Sequence, residues 1–475
     1  MRIRDGLVLG LTLGFGLTGC ASGGGGGGTP AADPSAGANI LAQGERPRDS
    51  ENTRAAERSL DAAQDAASPT EARPLYEQAL ASAEAAIAED ATNPLAYRLA
   101  GFAALGLEEF QDAGGHFDRA EELRPIYELE LAPVREQAYI DRYTASSPYL
   151  QSGDYAAAAE ILEGANSIYP DRPEAMVTLA QIYAQERNHD LALERIDQAI
   201  AFFGSDRLSE VDDETAASWR EQGAGMELMR AQVLVDAGRF EEAVGTYEQI
   251  AAADPTNIAI RQDLAAIHMQ MGNEAEAIVV YEALLADASL LTPADYYRIG
   301  IGFYQVSDYA RATEAFSQAA TQSRMDRDAL EMWARSLQLD SAYTAVPPVA
   351  ERWLELDPAS QVGITILAQA VNAAGDAARA GEVIRRVDAL PITVGDLQMR
   401  RFSGGATVNG SVTNRTLQQG ALVTLTFTFY DTSGASLGTA TQRLNVGAPD
   451  MNTVLSVQFD SEQTVGGYGY TYTTG

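Results

Sequence analysis

Residues 173–201 run PEAMVTLAQIYAQERNHDLALERIDQAIA and read as two amphipathic helices joined by a polar turn. Leu179, Ala180 and Tyr183 recur at helical spacing in the first half, and Ala192, Ile196 and Ala199 do so in the second. Alanine at 180, 192 and 199 lets two backbones approach closely, while Leu179, Tyr183 and Ile196 fill the seam. The same residue types return 34 residues earlier, at Tyr149, Ala158, Leu162 and Ala165, closed by Pro170. A helix–turn–helix unit with this period cannot bury its apolar face alone, so it predicts an array of stacked copies.

Outward from this stretch the frame runs through blocks 60–93, 94–127, 139–172, 173–206, 224–257, 258–291, 293–326, 327–360 and 361–394. The second block carries Tyr97, Gly101, Ala113, Phe117, Ala120 and Pro125. The seventh carries Tyr296, Ile299, Gly300, Phe303, Ala312, Phe316 and Ala319. These residues at this spacing resemble the tetratricopeptide repeat (TPR), and the resemblance implies a mainly α chain built as an α-solenoid. The first block lacks the large aromatics and reads as a capping helix pair. Block 327–360 departs from the pattern by placing Trp333 and Trp353 where smaller side chains are usual. Insertions at 128–138 and 207–223 break the frame. The second holds Asp212, Asp213, Glu214 and Trp219, and reads either as a binding loop or as a solvated helix extension.

After Pro391 the period changes to two. Val423, Leu425, Phe427 and Phe429 alternate with threonines, a turn follows at Tyr430–Gly434, and Leu437–Leu444 returns. Tyr468, Tyr470 and Tyr472 mark a last strand. Residues 395–475 are therefore expected to form a small antiparallel β-sandwich. Val408, Gly410, Val412 and Asn414, followed by a strand ending Phe429-Tyr430-Asp431, resemble the FxLYD-type immunoglobulin-like domains of envelope proteins.

At the N-terminus, Arg2 and Arg4 precede an apolar core from Leu7 to Leu17, and Leu17-Thr18-Gly19-Cys20 follows. That apolar stretch is shorter than the roughly 20 residues a spanning helix needs, so 1–20 reads as a signal peptide. Its end resembles the lipobox of bacterial lipoproteins, which implies that Cys20 is acylated. Ala21 after the cysteine implies the outer membrane, facing the periplasm. Residues 21–52, with a glycine run from Gly23 to Gly28, read as a flexible tether to a solenoid over 53–394.

Charge narrows the function. Lys+Arg 33 against Asp+Glu 67 gives a net charge of −34, which excludes a nucleic-acid partner. All positive side chains are Arg, so the Lys-based carboxylate clamp of some chaperone-binding TPRs is absent. Cys20 is the lone cysteine, and His116, His189 and His268 lie in different repeats; no metal or cofactor is expected. Gly434-Ala435-Ser436-Leu437-Gly438 matches a nucleophile elbow but lies in a hairpin with no later histidine. Gly300-Ile301-Gly302 lies inside a helix and is too short for a phosphate loop. The chain is not expected to be an enzyme.

By the TPR resemblance, first helices line an inner groove. Its positions here include Arg98, Phe102, Tyr143, Gln181, Gln232, Gln262, Met269, Tyr297, Tyr304, Gln369 and Asn372. They are amide, aromatic and aliphatic with one Arg, so most of the acidic excess is expected on outer faces. The expected function is a lipid-anchored envelope scaffold that binds a protein or peptide in this groove. The alternative is a glycan-binding accessory protein of cell-wall or exopolysaccharide assembly, with tyrosines stacking on sugars.

Overall fold

A computed structural model describes residues 43–475; Cys20, the apolar stretch before it and the glycine run lie outside the described residues. The described chain falls into two units, one ending at Ala175 and the other beginning at Met176.

In the first unit α1 (Glu51–Gln64) pairs with α2 (Pro69–Glu89), α3 (Pro94–Gly106) with α4 (Phe110–Leu123), and α5 (Tyr127–Ser152) with α6 (Tyr155–Ile168). Ser50 starts the first pair through a capping box. Its hydroxyl accepts from the Thr53 backbone N–H at 3.1 Å, while its own N–H donates to the Thr53 hydroxyl at 2.8 Å. The opening pair thus begins well before the frame drawn at residue 60. The end of the expected tether is also held. The Glu45 N–H donates to the Leu123 carbonyl at 2.7 Å, and Asn93 exchanges two hydrogen bonds with the Arg48 backbone. Insertion 128–138 is not a break but part of the long helix α5. It buries Arg135, which donates to the Ile168 carbonyl at 2.8 Å and pairs with Glu121 at 2.7 Å and Asp118 at 2.5 Å.

The second unit begins within α7 (Glu174–Gln185) and holds α8 (His189–Phe203), α9 (Asp213–Gly223), α10 (Met226–Asp236), α11 (Phe240–Ala253), α12 (Ile258–Met271) and α13 (Glu274–Ala286). It continues with α14 (Pro293–Gln305), α15 (Tyr309–Gln322), α16 (Arg327–Leu339), α17 (Val346–Leu356), α18 (Gln361–Ala373) and α19 (Ala377–Asp388). Thr292, Asp326 and Ser360 cap α14, α16 and α18 at the repeat period, each accepting a backbone N–H of the first turn. Gly300 explains a second recurrent residue: a Cβ there would lie 2.7 Å from the Phe316 ring of the paired helix, as one on Gly101 would lie 2.5 Å from Phe117. Glycine is the space into which the aromatic of the second helix fits. Asp212 caps α9, and Trp219 is buried against Phe202 with ring centroids 5.2 Å apart. The acidic run at 212–214 is a helix start on a packed helix, not a binding loop.

A short linker after α19 leads into β1 (Ile392–Phe402), followed by β2 (Gly405–Asn414), β3 (Leu422–Tyr430), β4 (Ser436–Asn445), β5 (Asn452–Asp460) and β6 (Gly467–Thr474). Two antiparallel sheets form, ordered β1-β2-β5 and β4-β3-β6. Val423, Leu425, Phe427 and Phe429 are fully buried on one face of β3, as period-two alternation requires. The Phe429 and Phe459 rings stack across the two sheets at 4.5 Å. One contiguous apolar core runs from Ala265 in α12 through Trp353 in α17 to Tyr470 in β6, so helices and sheets share an interior.

Ala192 has no exposed surface. Replacing it with Leu overpacks the seam, and chemical denaturation is expected to show a loss of roughly 1–3 kcal/mol.

Candidate partner-binding site

The sequence Asp326-Arg327-Asp328 starts α16 and carries a buried charged cluster. Arg327 retains only 4% of its side-chain exposure. A buried guanidinium needs both charge and hydrogen-bond partners. Its Nε and Nη2 donate to Asp357 Oδ2 at 3.0 and 2.7 Å, Nη1 reaches Asp328 at 3.1 Å and Glu331, and the group lies 5.3 Å from the Trp353 ring. The acids then engage the β domain. Tyr470 donates to Asp357 Oδ1 at 2.6 Å, and Tyr468 donates to Asp328 Oδ1 at 2.8 Å. Burial raises both phenols well above the ordinary tyrosine range and raises the Asp357 carboxyl, against the opposing pull of Arg327. Trp353, which departs from the repeat pattern, is fully buried beneath this cluster.

The same helices seal the free edge of β1. The Val394 N–H donates to the Ala359 carbonyl at 3.0 Å, the Met399 N–H to Asp328 Oδ2 at 3.2 Å, and Arg327 reaches the Leu397 carbonyl at 3.5 Å. A bulge between Gly395 and Gln398 bends the strand, with Asp396 in the left-handed region at φ 55°. Between the first helices α14, α16 and α18 and the outer face of β1-β2-β5 lies a cleft of about 1000 Å³. Tyr297, Tyr304 and Gln369, three of the expected groove residues, line it. Glu331, Arg335 and Gln338 line it too, and sequence reasoning missed them because block 327–360 departed from the repeat pattern. The sheet wall was not foreseen at all. In the first unit a smaller cavity of about 510 Å³ is lined by Leu105, Phe110, Val134 and Arg142, with the guanidinium 4.3 Å from the Phe110 ring.

A tetratricopeptide-repeat family model matches residues 149–208 and 234–290. These stretches are tetratricopeptide repeats. No curated protein sequence matches the chain. Among solved structures, the C-terminal part of a TPR repeat-containing protein from Cytophaga hutchinsonii is similar over 52% of this chain and 95% of its own, at 17% identity and a TM-score of 0.38. MamA from Desulfovibrio magneticus RS-1 is similar over 35% of this chain and 94% of its own, at 17% identity and a TM-score of 0.29. YrrB, described as a TPR protein with an unusual peptide-binding site, is similar over 34% and 84%, at 14% identity and a TM-score of 0.30.

The other positions expected to face a groove divide by what holds them. Gln262 is buried: its Nε2 donates to Asp295 at 3.2 Å and its Oε1 accepts from Arg298 at 3.0 Å, so its amide is engaged and not open to a ligand. Arg98 pairs with Glu130 and lies over the Phe102 and Tyr127 rings at 5.3 and 5.7 Å. Phe102 packs edge-on against Phe117, and Tyr143 stacks on buried Tyr139 with centroids 6.0 Å apart. Gln181 and Gln232 are half-buried and their amides make no hydrogen bond among the described residues; Met269 is half-buried and Asn372 exposed. Tyr297 packs its ring against Phe316 at 5.5 Å, which makes it as much core as surface. His268 is buried in α12, as a seam residue should be.

Asp326 supplies a pH test of the junction. Burial, with the charge of Asp328 second, raises its carboxyl from 3.8 to about 6, against the opposing pull of Arg401. The folded state then holds this proton more tightly than the unfolded state, so stability rises as pH falls through 6 toward 4. A rise of that size corresponds to roughly 2–3 kcal/mol. Asp326→Asn keeps the cap on Ala329 and removes the buried charge. Denaturation at pH 8 and pH 5 is expected to show a flatter pH dependence in this variant than in the parent chain.

Proposed function

We propose that this chain is a lipid-anchored scaffold of the bacterial cell envelope that holds a protein or peptide partner along the inner faces of its TPR first helices. The observation that carries the reading is the state of Gln181 and Gln232. Both are on first helices, both are partly exposed, and neither amide is satisfied within the described chain. A primary amide offers donors and an acceptor at once, which suits the peptide backbone of an extended partner whatever its side chains. The acidic residues lie largely elsewhere and keep the surface soluble. Lipid anchoring rests on Leu17-Thr18-Gly19-Cys20, and outer-membrane placement facing the periplasm on Ala21. The FxLYD-like reading of the β domain rests on Val408, Gly410, Val412 and Asn414 along β2. No cofactor is part of this reading.

Two experiments test it. Cys20→Ala is expected to move the protein out of the membrane fraction or leave the precursor uncleaved, as read by fractionation and intact mass. A variant that is fully processed and still sediments with membranes removes the lipoprotein reading. For the groove, a photo-crosslinking residue at Gln181 or Gln232 is compared with one at exposed Gln249 on α11. A discrete adduct from the inner positions alone, retained at high salt and, for the Gln181 position, abolished by Gln232→Glu, is the expected result. Equal adducts from all three positions, lost steeply with salt, would mean diffuse attraction to the acidic surface instead.

A further inference from the structure

We propose that the cleft between α14, α16 and α18 and the outer face of the β1-β2-β5 sheet binds an uncharged oligosaccharide. Four features of its walls converge on that ligand.

The first is charge. Within the lining, Arg335 pairs with Glu331 at 2.7 Å, Arg401 with Asp326 at 3.3 Å, and Arg327 is saturated by its acids. Asp396 and Arg400 remain, one of each sign. In a chain of net charge −34 this cleft is close to neutral. It offers neither a basic field for an acidic ligand nor an acidic one for a basic ligand.

The second is the kind of hydrogen-bonding group presented. On the helical wall Gln338 Nε2 donates to Gln369 Oε1 at 2.5 Å, which leaves the Gln338 oxygen as acceptor and the Gln369 amide as donor. On the sheet wall the Thr413 hydroxyl donates to Asn452 Oδ1 at 2.6 Å, leaving the Asn452 amide as donor. Each pair fixes its own orientation and presents defined donors and acceptors to the cleft. The hydroxyls of Tyr297 and Tyr304 have no hydrogen-bond partner among the described residues. Sugar rings carry vicinal hydroxyls that donate and accept at once, and such groups complement this wall.

The third is the sealed strand edge. A peptide lying in the cleft gains affinity by adding a strand to an open edge, but the N–H groups of Val394 and Met399 and the Leu397 carbonyl are already bonded to the helices. The fourth is the shortage of exposed aliphatic side chains. Protein segments dock through aromatic or aliphatic anchors in dry pockets, whereas Val362 is the one large aliphatic residue of the lining that is substantially exposed, at 42%. A volume of about 1000 Å³ is at the upper end of small-ligand sites and accommodates several sugar rings.

The site is distinct from the inner-face amides of Gln181 and Gln232, so its failure leaves the peptide reading standing. The test presents the intact chain to an array of neutral oligosaccharides of hexoses, pentoses and N-acetylhexosamines. Acidic uronate oligomers and a pool of uncharged decapeptides serve as comparators, and hits are titrated calorimetrically. Binding to a neutral oligosaccharide, unchanged between low and high salt, is expected. Asn452→Ala and Gln338→Ala, one on each wall, are each expected to weaken it about fivefold. The double variant is expected to weaken it by more than either alone, while Gln249→Ala changes nothing; unchanged melting curves verify the fold. Failure of every neutral oligosaccharide to bind overturns the proposal. So does binding that ignores both wall variants, or decapeptide binding that both variants abolish.

Discussion

A guanidinium that cannot give up its proton has been placed where water cannot reach it, and the second unit is arranged around that constraint. Arg327 requires acids, and each acid requires a further partner. Asp357 takes the Tyr470 hydroxyl, while Asp328 takes the Tyr468 hydroxyl and the Met399 N–H; the neighbouring Asp326 takes Arg401. All of these partners come from strands, the tyrosines from β6 and the other two from β1. Meeting the demands of one residue in the solenoid therefore fixes the position of the sandwich. Such a cluster adds modest net stability compared with an apolar substitute, yet losing one partner strands a buried charge. Its effect is to permit one docking geometry and penalise others.

That geometry decides which surfaces are open. The β1 edge, which would otherwise invite another strand, is closed by α16 and the turn before α18. The outer face of its sheet is turned toward first-helix side chains and makes a two-walled cleft from what would otherwise be a one-sided groove. Further upstream Gln181 on α7 and Gln232 on α10 are half-buried. The cleft walls carry two side-chain pairs, Gln338 with Gln369 and Thr413 with Asn452. Glycine permits the close fit at the junction. A Cβ on Gly467 would lie 1.9 Å from the Met325 carbonyl oxygen, and one on Gly469 would lie 3.0 Å from Leu356.

Much of the helical part was legible because its signals are local or strictly periodic. Caps at Thr292, Asp326 and Ser360 mark helix starts at the repeat interval, and the Gly300–Phe316 and Gly101–Phe117 pairs recur with the frame. Strand β3 was equally plain, since alternation of Val423 to Phe429 with threonine admits one reading. What escaped was decided between elements far apart in sequence. Gln262 looks like an open groove amide until Arg298, one repeat later, is found bonded to it. The stretch 128–138 broke the repeat period and so looked like an insertion, although it continues a helix that buries Arg135. Trp353 and Arg327 looked like irregularities because the repeat pattern takes no account of a domain docked beside it. The tyrosine–glycine alternation in β6 announced a strand, but nothing local said that its hydroxyls would meet carboxylates over a hundred residues earlier.

The position of β6 along the chain has a consequence for biogenesis. Domains form from the N-terminus as the chain emerges, so α16 to α19 are complete while the residues that satisfy their acids are still to come. Until Tyr468 and Tyr470 arrive, Asp328 and Asp357 hold Arg327 with one partner each missing, and Leu356 has no strand across it. The last repeats are thus exposed for as long as the sandwich remains unsynthesised. A chain interrupted before β6 lacks the two hydroxyls that donate to Asp328 and Asp357. Strand β6 thus supplies the last partners of a cluster whose other members lie more than a hundred residues earlier in the chain.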